Sequence, residues 1–145
     1  MKALALDLGR RRIGVAVSDP TGTLARPLTT LERRGTGEDI QAVLDLARRE
    51  GARAIVVGLP LTLRGEEGPQ AREVRAFISA LRERSPLPVE TWDERLTTVE
   101  AERRLREAGR RPSREKARVD AVSATLVLQA WLDARRFRQE GGGQW

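Results

Sequence analysis

Apolar residues run unbroken from Ala3 to Leu6 and end at Asp7 and Leu8, the pattern of a buried strand over residues 2–8. Gly9 to Arg12 make a tight turn. Ile13, Val15 and Val17 then alternate with Gly14, Ala16 and Ser18, a period of two that predicts a second strand. Asp19-Pro20-Thr21-Gly22 is a further turn, and residues 23–32 read as a third strand. Three strands joined by short turns predict an antiparallel meander.

Helical spacing begins after Gly35 and Gly37, with Ile40, Val43, Leu44 and Ala47 on one face and Gly51 as the stop. Ala54 to Val57 predict a buried strand leading into Gly58-Leu59-Pro60. Residues 61–68 are read as a loop holding Gly65 and Gly68. Pro69 suits the first turn of a helix whose stripe is Val74, Phe77, Ile78 and Leu81. Val89 to Trp92 predict a fifth strand, and Asp93 to Thr97 the turn after it. Thr97 and Glu100 have capping-box spacing for a helix running to Gly109. Ser113 can cap a last helix over residues 114–137, whose middle is apolar almost all round and is therefore expected to be buried.

The order βββαβαβαα predicts an α/β fold: one five-stranded mixed sheet, three antiparallel strands and then two more, with helices on both faces. No internal repeat or second domain is visible. Residues 1–145 are expected to form a single domain ending in a flexible tail at 141–145.

Composition narrows the chemistry. Histidine, cysteine and tyrosine are all absent from the 145 residues. Thiol nucleophiles, zinc–thiolate sites and imidazole bases are excluded. A catalyst built from what remains favours carboxylates around a hard cation such as magnesium or manganese. The net charge is +6, and Lys2 and Lys116 are the only lysines among 27 basic residues. Guanidinium matches phosphate geometry, so the balance leans towards nucleic acid as partner. The short apolar start ends at Asp7 and an arginine cluster follows, unlike an export signal. No apolar run could span a bilayer. A cytoplasmic protein with no membrane partner is expected.

Most of the 21 acidic residues, Glu38, Asp39, Glu50, Glu73, Glu83, Glu102 and Glu107 among them, fit the polar faces of amphipathic helices. Acids at three places along the chain do not. Asp7 closes an apolar strand on the side of Ala3 and Ala5. Asp93 and Glu94 follow the last strand, at the carboxyl end where α/β sheets hold functional groups. Asp120 lies two turns into the apolar last helix. Each could instead cap a turn or pair with a nearby cation. Brought together, three such carboxylates repel by about 4 kcal/mol per pair at an effective dielectric near 20. A divalent ion would relieve that repulsion, and two ions would suit phosphodiester hydrolysis. Arg10, Arg11 and Arg12 beside Asp7, Arg95 beside Glu94, and Lys116 and Arg118 before Asp120 are candidate phosphate contacts. Gly58 to Gly68 either supply turns or let backbone approach a phosphate.

These segments resemble the YqgF/RuvX family in four ordered blocks covering nearly the whole chain. Ala5-Leu6-Asp7-Leu8-Gly9 through Ile13-Gly14-Val15-Ala16-Val17-Ser18-Asp19 resembles its first motif. Val57-Gly58-Leu59-Pro60, with Gly65, Gly68 and Gln70, resembles the second, and Asp93-Glu94-Arg95-Leu96-Thr97-Thr98 the third. Lys116, Asp120-Ala121, Ala124, Leu128-Gln129 and Leu132-Asp133 resemble the last. The resemblance implies an RNase H-like fold and a nuclease acting in maturation of the 5′ end of pre-16S ribosomal RNA. It implies kinship with Holliday-junction resolvases, for which a homodimer with paired sites is expected. It also implies that Asp7, Glu94 and Asp120 form a catalytic, metal-binding triad for Mg2+ or Mn2+. The choice of Glu94 over Asp93 rests on the motif alone. A non-catalytic RNA-binding factor keeping an inherited acidic pocket, and a phosphate-binding ATPase of the actin and sugar-kinase type, are the competing readings from other classes.

Overall fold

The computed structural model describes residues 1–96 and 113–140, and within the last helix the side chains of 121–138. The helix expected over 97–109 and the tail at 141–145 lie outside the described residues.

Alternation along β1 (Ala3–Leu8) assigns the two faces of the sheet. Leu4, Leu6 and Leu8 enter one core, while Ala3 and Ala5 enter the other. β2 (Arg12–Ser18) runs antiparallel to β1, with Leu6 opposite Val15 and Asp7 opposite Gly14. β3 (Ala25–Glu32) pairs antiparallel with β2 through a bulge, because Val15 faces Thr29 but Ala16 faces Pro27. Pro27 has no N–H to donate, which suits an edge strand. β4 (Ala54–Leu59) is parallel to β1, and β5 (Val89–Asp93) is parallel to β4. The sheet order is β3-β2-β1-β4-β5, the mixed arrangement that the order of predicted elements requires.

Two helices fill the leucine face. α1 (Thr36–Glu50) buries Ile40, Val43, Leu46 and Ala47, and α2 (Pro69–Arg84) buries Ala71, Val74, Phe77, Ile78 and Leu81. Gly51 ends α1 at φ 68°, where its N–H donates to the Arg48 carbonyl and the Ala52 N–H to that of Ala47. The opposite face is paved with Ala3, Ala5, Ala16, Ala54 and Val56. Small side chains there let α3 (Ser113–Glu140) lie close to the sheet through Ala124, Val127, Leu128, Trp131 and Leu132.

α3 departs from its expectation in one respect. Val122, Leu126 and Ala130 are only half-buried, so the helix packs by one face and is not enclosed on all sides. Among the described residues no helix is long and apolar enough to cross a membrane.

Candidate active site

Asp7 extends the row of Ala3 and Ala5 to the carboxyl end of β1, on the α3 side of the sheet, and is 1% exposed. Its neighbour across β2 is Gly14. A carboxylate at such a site is costly to keep ionised without compensating charge or hydrogen bonds.

The end of β5 separates the two acids that the sequence leaves open. Asp93 turns to Arg95: its carboxylate accepts the Arg95 backbone N–H at 2.9 Å and the Nε at 3.0 Å, and takes Nη2 as an ion pair. Those hydrogen bonds from Arg95 outweigh burial and hold the Asp93 carboxyl below the usual aspartate range, while the same contact raises the guanidinium. Glu94 opens the 3-10 turn Glu94–Leu96 and is 3% exposed. It points inward over β4, where a Cβ at position 58 would stand 2.6 Å from Glu94 Oε1 and 3.2 Å from Val127 Cγ2. Val127 belongs to α3, so Glu94 occupies the same side of the sheet as Asp7.

Gln129 fixes the direction of α3. Its Nε2 donates to the Thr23 carbonyl at 3.0 Å and its Oε1 accepts the Ala25 N–H at 2.9 Å, at the β2–β3 turn. From there the helix runs back past Val127 towards the ends of β1 and β4. Asp120 stands in α3 seven residues before Val127, an axial distance of about 10 Å. The side chains of Asp120, Lys116 and Arg118 lie outside the described residues. Among the described residues no group of three or more acids gathers around one point, but Asp7 and Glu94 share one edge and one face. Buried carboxylate oxygens with no nitrogen or sulfur donor fit a hard divalent cation.

The basic candidates divide. Arg10 and Arg11 are exposed on the turn beyond Asp7. Arg12 is half-buried and donates to Glu32 at 3.2 Å. Arg95 is held in a clasp: besides Asp93, its Nη1 reaches the Leu63 carbonyl at 3.4 Å and lies against Gly65, tying the 61–68 loop to β5. Gly65 has φ +84°, so a glycine suits that turn. Gly58 has a different place, inside β4 beneath Glu94.

Asp39 departs from the expectation of a polar-face acid, solvated or loosely paired with arginine, in being buried. It is 3% exposed, accepting Arg33 Nε at 2.7 Å and the Arg34 N–H at 2.9 Å. Burial opposes ionisation there, but the hydrogen bonds from Arg34 and Arg33 prevail and hold the carboxyl low. The available signal was its place in the first turn of a helix directly after an Arg-Arg pair. An apolar cavity of about 760 Å3, lined by Leu44, Ala47, Ala52, Pro86 and Leu87 among others, sits at the amino ends of β4 and β5, the opposite end of the strands from these acids. A cleft of about 300 Å3 bordered by Arg10, Arg33, Gln70 and Phe77 opens beside the Gly9 turn.

A mixed sheet in this order, with helices on both faces and acids at the carboxyl ends of β1 and β5, defines the RNase H-like fold of the resolvase-type nucleases. The fold is shared with Thermus thermophilus RuvC bound to a Holliday junction substrate, at TM-score 0.58 and 17% identity, over 98% of this chain and 97% of that one. The fowlpox virus Holliday junction resolvase aligns at TM-score 0.50 and 12% identity, over 92% and 99% of the two chains. The chain belongs to the RuvX family: the family model described as RuvX, Holliday junction resolvase, matches residues 1–134. A Chloroflexus aurantiacus protein named "Putative pre-16S rRNA nuclease" is 49% identical over 133 residues, 92% of this chain and 87% of its own length. A Moorella thermoacetica protein of the same name is 47% identical over 141 residues, covering 97% of this chain and 99% of its own.

Proposed function

We propose that the chain is a cytoplasmic nuclease, dependent on Mg2+ or Mn2+, that hydrolyses phosphodiester bonds of a structured RNA precursor in maturation of the pre-16S 5′ end. The observation that carries this reading is the pair of buried carboxylates, Asp7 and Glu94, on one face of the sheet at the carboxyl ends of β1 and β5, with β4 between them. Membership of the RuvX family and the name of the Chloroflexus and Moorella relatives support the reaction class and the substrate.

Asp7 and Glu94 would hold the ion from the sheet, with Asp120 as the third carboxylate from α3. When bound, a divalent ion supplies charge neutralisation at the scissile phosphate and lowers the pKa of water. The exposed Arg10 and Arg11 bind backbone phosphates flanking the cut, joined by Lys116 and Arg118 from the start of α3. Arg95 holds the 61–68 loop beside the site through its pair with Asp93.

A second reading, cleavage of four-way DNA junctions, is favoured by the family's description and by the RuvC-like fold. It requires two sites acting together, hence a homodimer. Incubation of the pure protein and Mn2+ with ribosomal RNA precursor and with junction DNA tests the two, with Asp120→Asn as control. The proposal expects cleavage of the RNA that the variant abolishes. Junction cutting by a dimer would establish the second reading. No cleavage of either substrate, with RNA binding intact, would leave a non-catalytic RNA-binding factor.

A further inference from the structure

Glu94 and Asp7 are not on adjacent strands. β4 lies between β5 and β1, so the backbones that carry the two acids are separated by two strand spacings, about 10 Å. For both carboxylates to reach one ion, the Glu94 side chain has to pass over β4. The residue it passes over is Gly58. In register, Gly58 pairs with Trp92 of β5, and on the β1 side it follows Val57, the partner of Leu6, which sets it level with Asp7.

A side chain there would displace the Glu94 carboxylate. A Cβ at position 58 would come within 2.6 Å of Glu94 Oε1, 3.3 Å of its carboxyl carbon and 3.2 Å of Val127 Cγ2. Real Cβ atoms do not approach an oxygen at 2.6 Å, and the other two contacts are tight, so the Glu94 carboxylate would have to move. The strand is fully buried and α3 packs on that face of it, so the carboxylate gives way by withdrawing from its place over β4. Backbone conformation does not explain the glycine, because position 58 lies within a regular strand and is not among the glycines of positive φ. The need is for space.

We propose that Gly58 is a positioning residue: its bare Cα is the seat that lets the Glu94 carboxylate cross β4 towards Asp7. The inference rests on the nuclease reading for the purpose of that crossing, but the contact itself is independent of it. Its chemical consequence is a matter of reach. Glu94 has the length to span one intervening strand, and an aspartate there would fall short by a methylene. The Glu94→Asp variant therefore behaves as a loss of the ligand although its charge is kept.

The test is a double-mutant cycle between positions 58 and 94 on the full-length protein, read by thermal unfolding and by Mn2+ titration calorimetry. Gly58→Ala is expected to lower Tm by about 2–4 °C, the scale of one lost close contact in a chain of this size. It is also expected to weaken Mn2+ binding at least tenfold, with unchanged far-UV circular dichroism. In a Glu94→Ala background, where the obstructing carboxylate is gone and only the 3.2 Å approach to Val127 Cγ2 remains, Gly58→Ala lowers Tm by less than in the parent and leaves the residual affinity unchanged. Glu94→Asp matches Glu94→Ala in Mn2+ affinity. Equal Tm losses from Gly58→Ala in both backgrounds, or undiminished Mn2+ binding by that variant, would overturn the inference and leave the nuclease reading standing. If the unsubstituted protein itself binds no Mn2+, the nuclease reading fails, and the Tm cycle still decides whether Gly58 seats Glu94.

Discussion

Arg33 and Asp39 lock the corner between β3 and α1: Nε of the arginine donates to Oδ2 at 2.7 Å, and its Nη1 donates to the Gly9 carbonyl at 2.9 Å. The same guanidinium lies over the Phe77 ring, 5.8 Å from its centroid. One side chain thus joins α1, α2 and the turn that follows Asp7. The corner belongs to the support of the site, since Gly9 is two residues beyond the acid.

Replacing Asp39 by asparagine should cost about 2 kcal/mol, because it leaves a largely buried guanidinium without its counter-charge. The pH dependence follows from the direction of the shift. The folded-state carboxyl lies below its ordinary value of 3.8, so the pair's contribution is complete above that pH and is lost as pH falls through the lower folded value. Urea unfolding from pH 7 down to pH 3 checks this. The Asp39→Asn variant should lose less stability than the parent over the acid limb.

Ser123 is fully buried on α3, and among the described residues its Oγ has no hydrogen-bond partner. A buried hydroxyl without a partner carries a desolvation cost, so Ser123→Ala should raise stability by about 1 kcal/mol. Thr125 is the comparison: its Oγ1 donates to the Ala121 carbonyl at 2.7 Å, and removing it should bring no such gain. Thermal unfolding of the two variants separates them.

The clasp of Arg95 on Asp93 and Leu63 predicts a loss that is not a loss of metal. Arg95→Ala should loosen the 61–68 loop and lower cleavage by about tenfold, while Mn2+ affinity changes little. Hydrogen exchange of residues 62–66 reads the loop directly. Their present order comes from bonds such as Gly65 N–H to the Thr62 carbonyl at 2.8 Å.

Arg10 and Arg11 are exposed beyond Asp7 and should act on affinity alone. Each change to alanine should weaken RNA binding and reduce the salt dependence of log K by about one phosphate contact. Filter binding between 50 and 200 mM salt, about the range where such slopes are read, checks it.

The strands and their order could be read from the sequence because each carries its own punctuation. Leu4, Leu6 and Leu8 alternate with Ala3, Ala5 and Asp7 until Gly9 turns the chain, so strand, face and functional end are all local information. What escaped depends on contacts between distant segments. Asp39 looked like any first-turn acid, since nothing in a helical stripe reports that Arg33 folds back upon it. Asp93 and Glu94 could not be separated until the 3-10 turn set Arg95 against the first and sent the second inward. Gly58 read as a glycine that supplies a turn or admits a phosphate, because only the sheet register places Glu94 above it. The apolar character of α3 was visible, but not that Val122 and Leu126 would lie on a half-buried outer side.

Asp7 and Glu94 are buried acids at the carboxyl ends of β1 and β5 on one face of the sheet, so amide variants at either position should keep the fold while cleavage falls by about 100-fold or more. The most direct measurement of the central claim, that these two carboxylates serve one divalent ion, is Mn2+ titration calorimetry of the unsubstituted protein beside Asp7→Asn and Glu94→Gln. The account predicts one shared site that either substitution weakens by at least about tenfold, with Tm maintained. Unaltered Mn2+ affinity in both variants would contradict it.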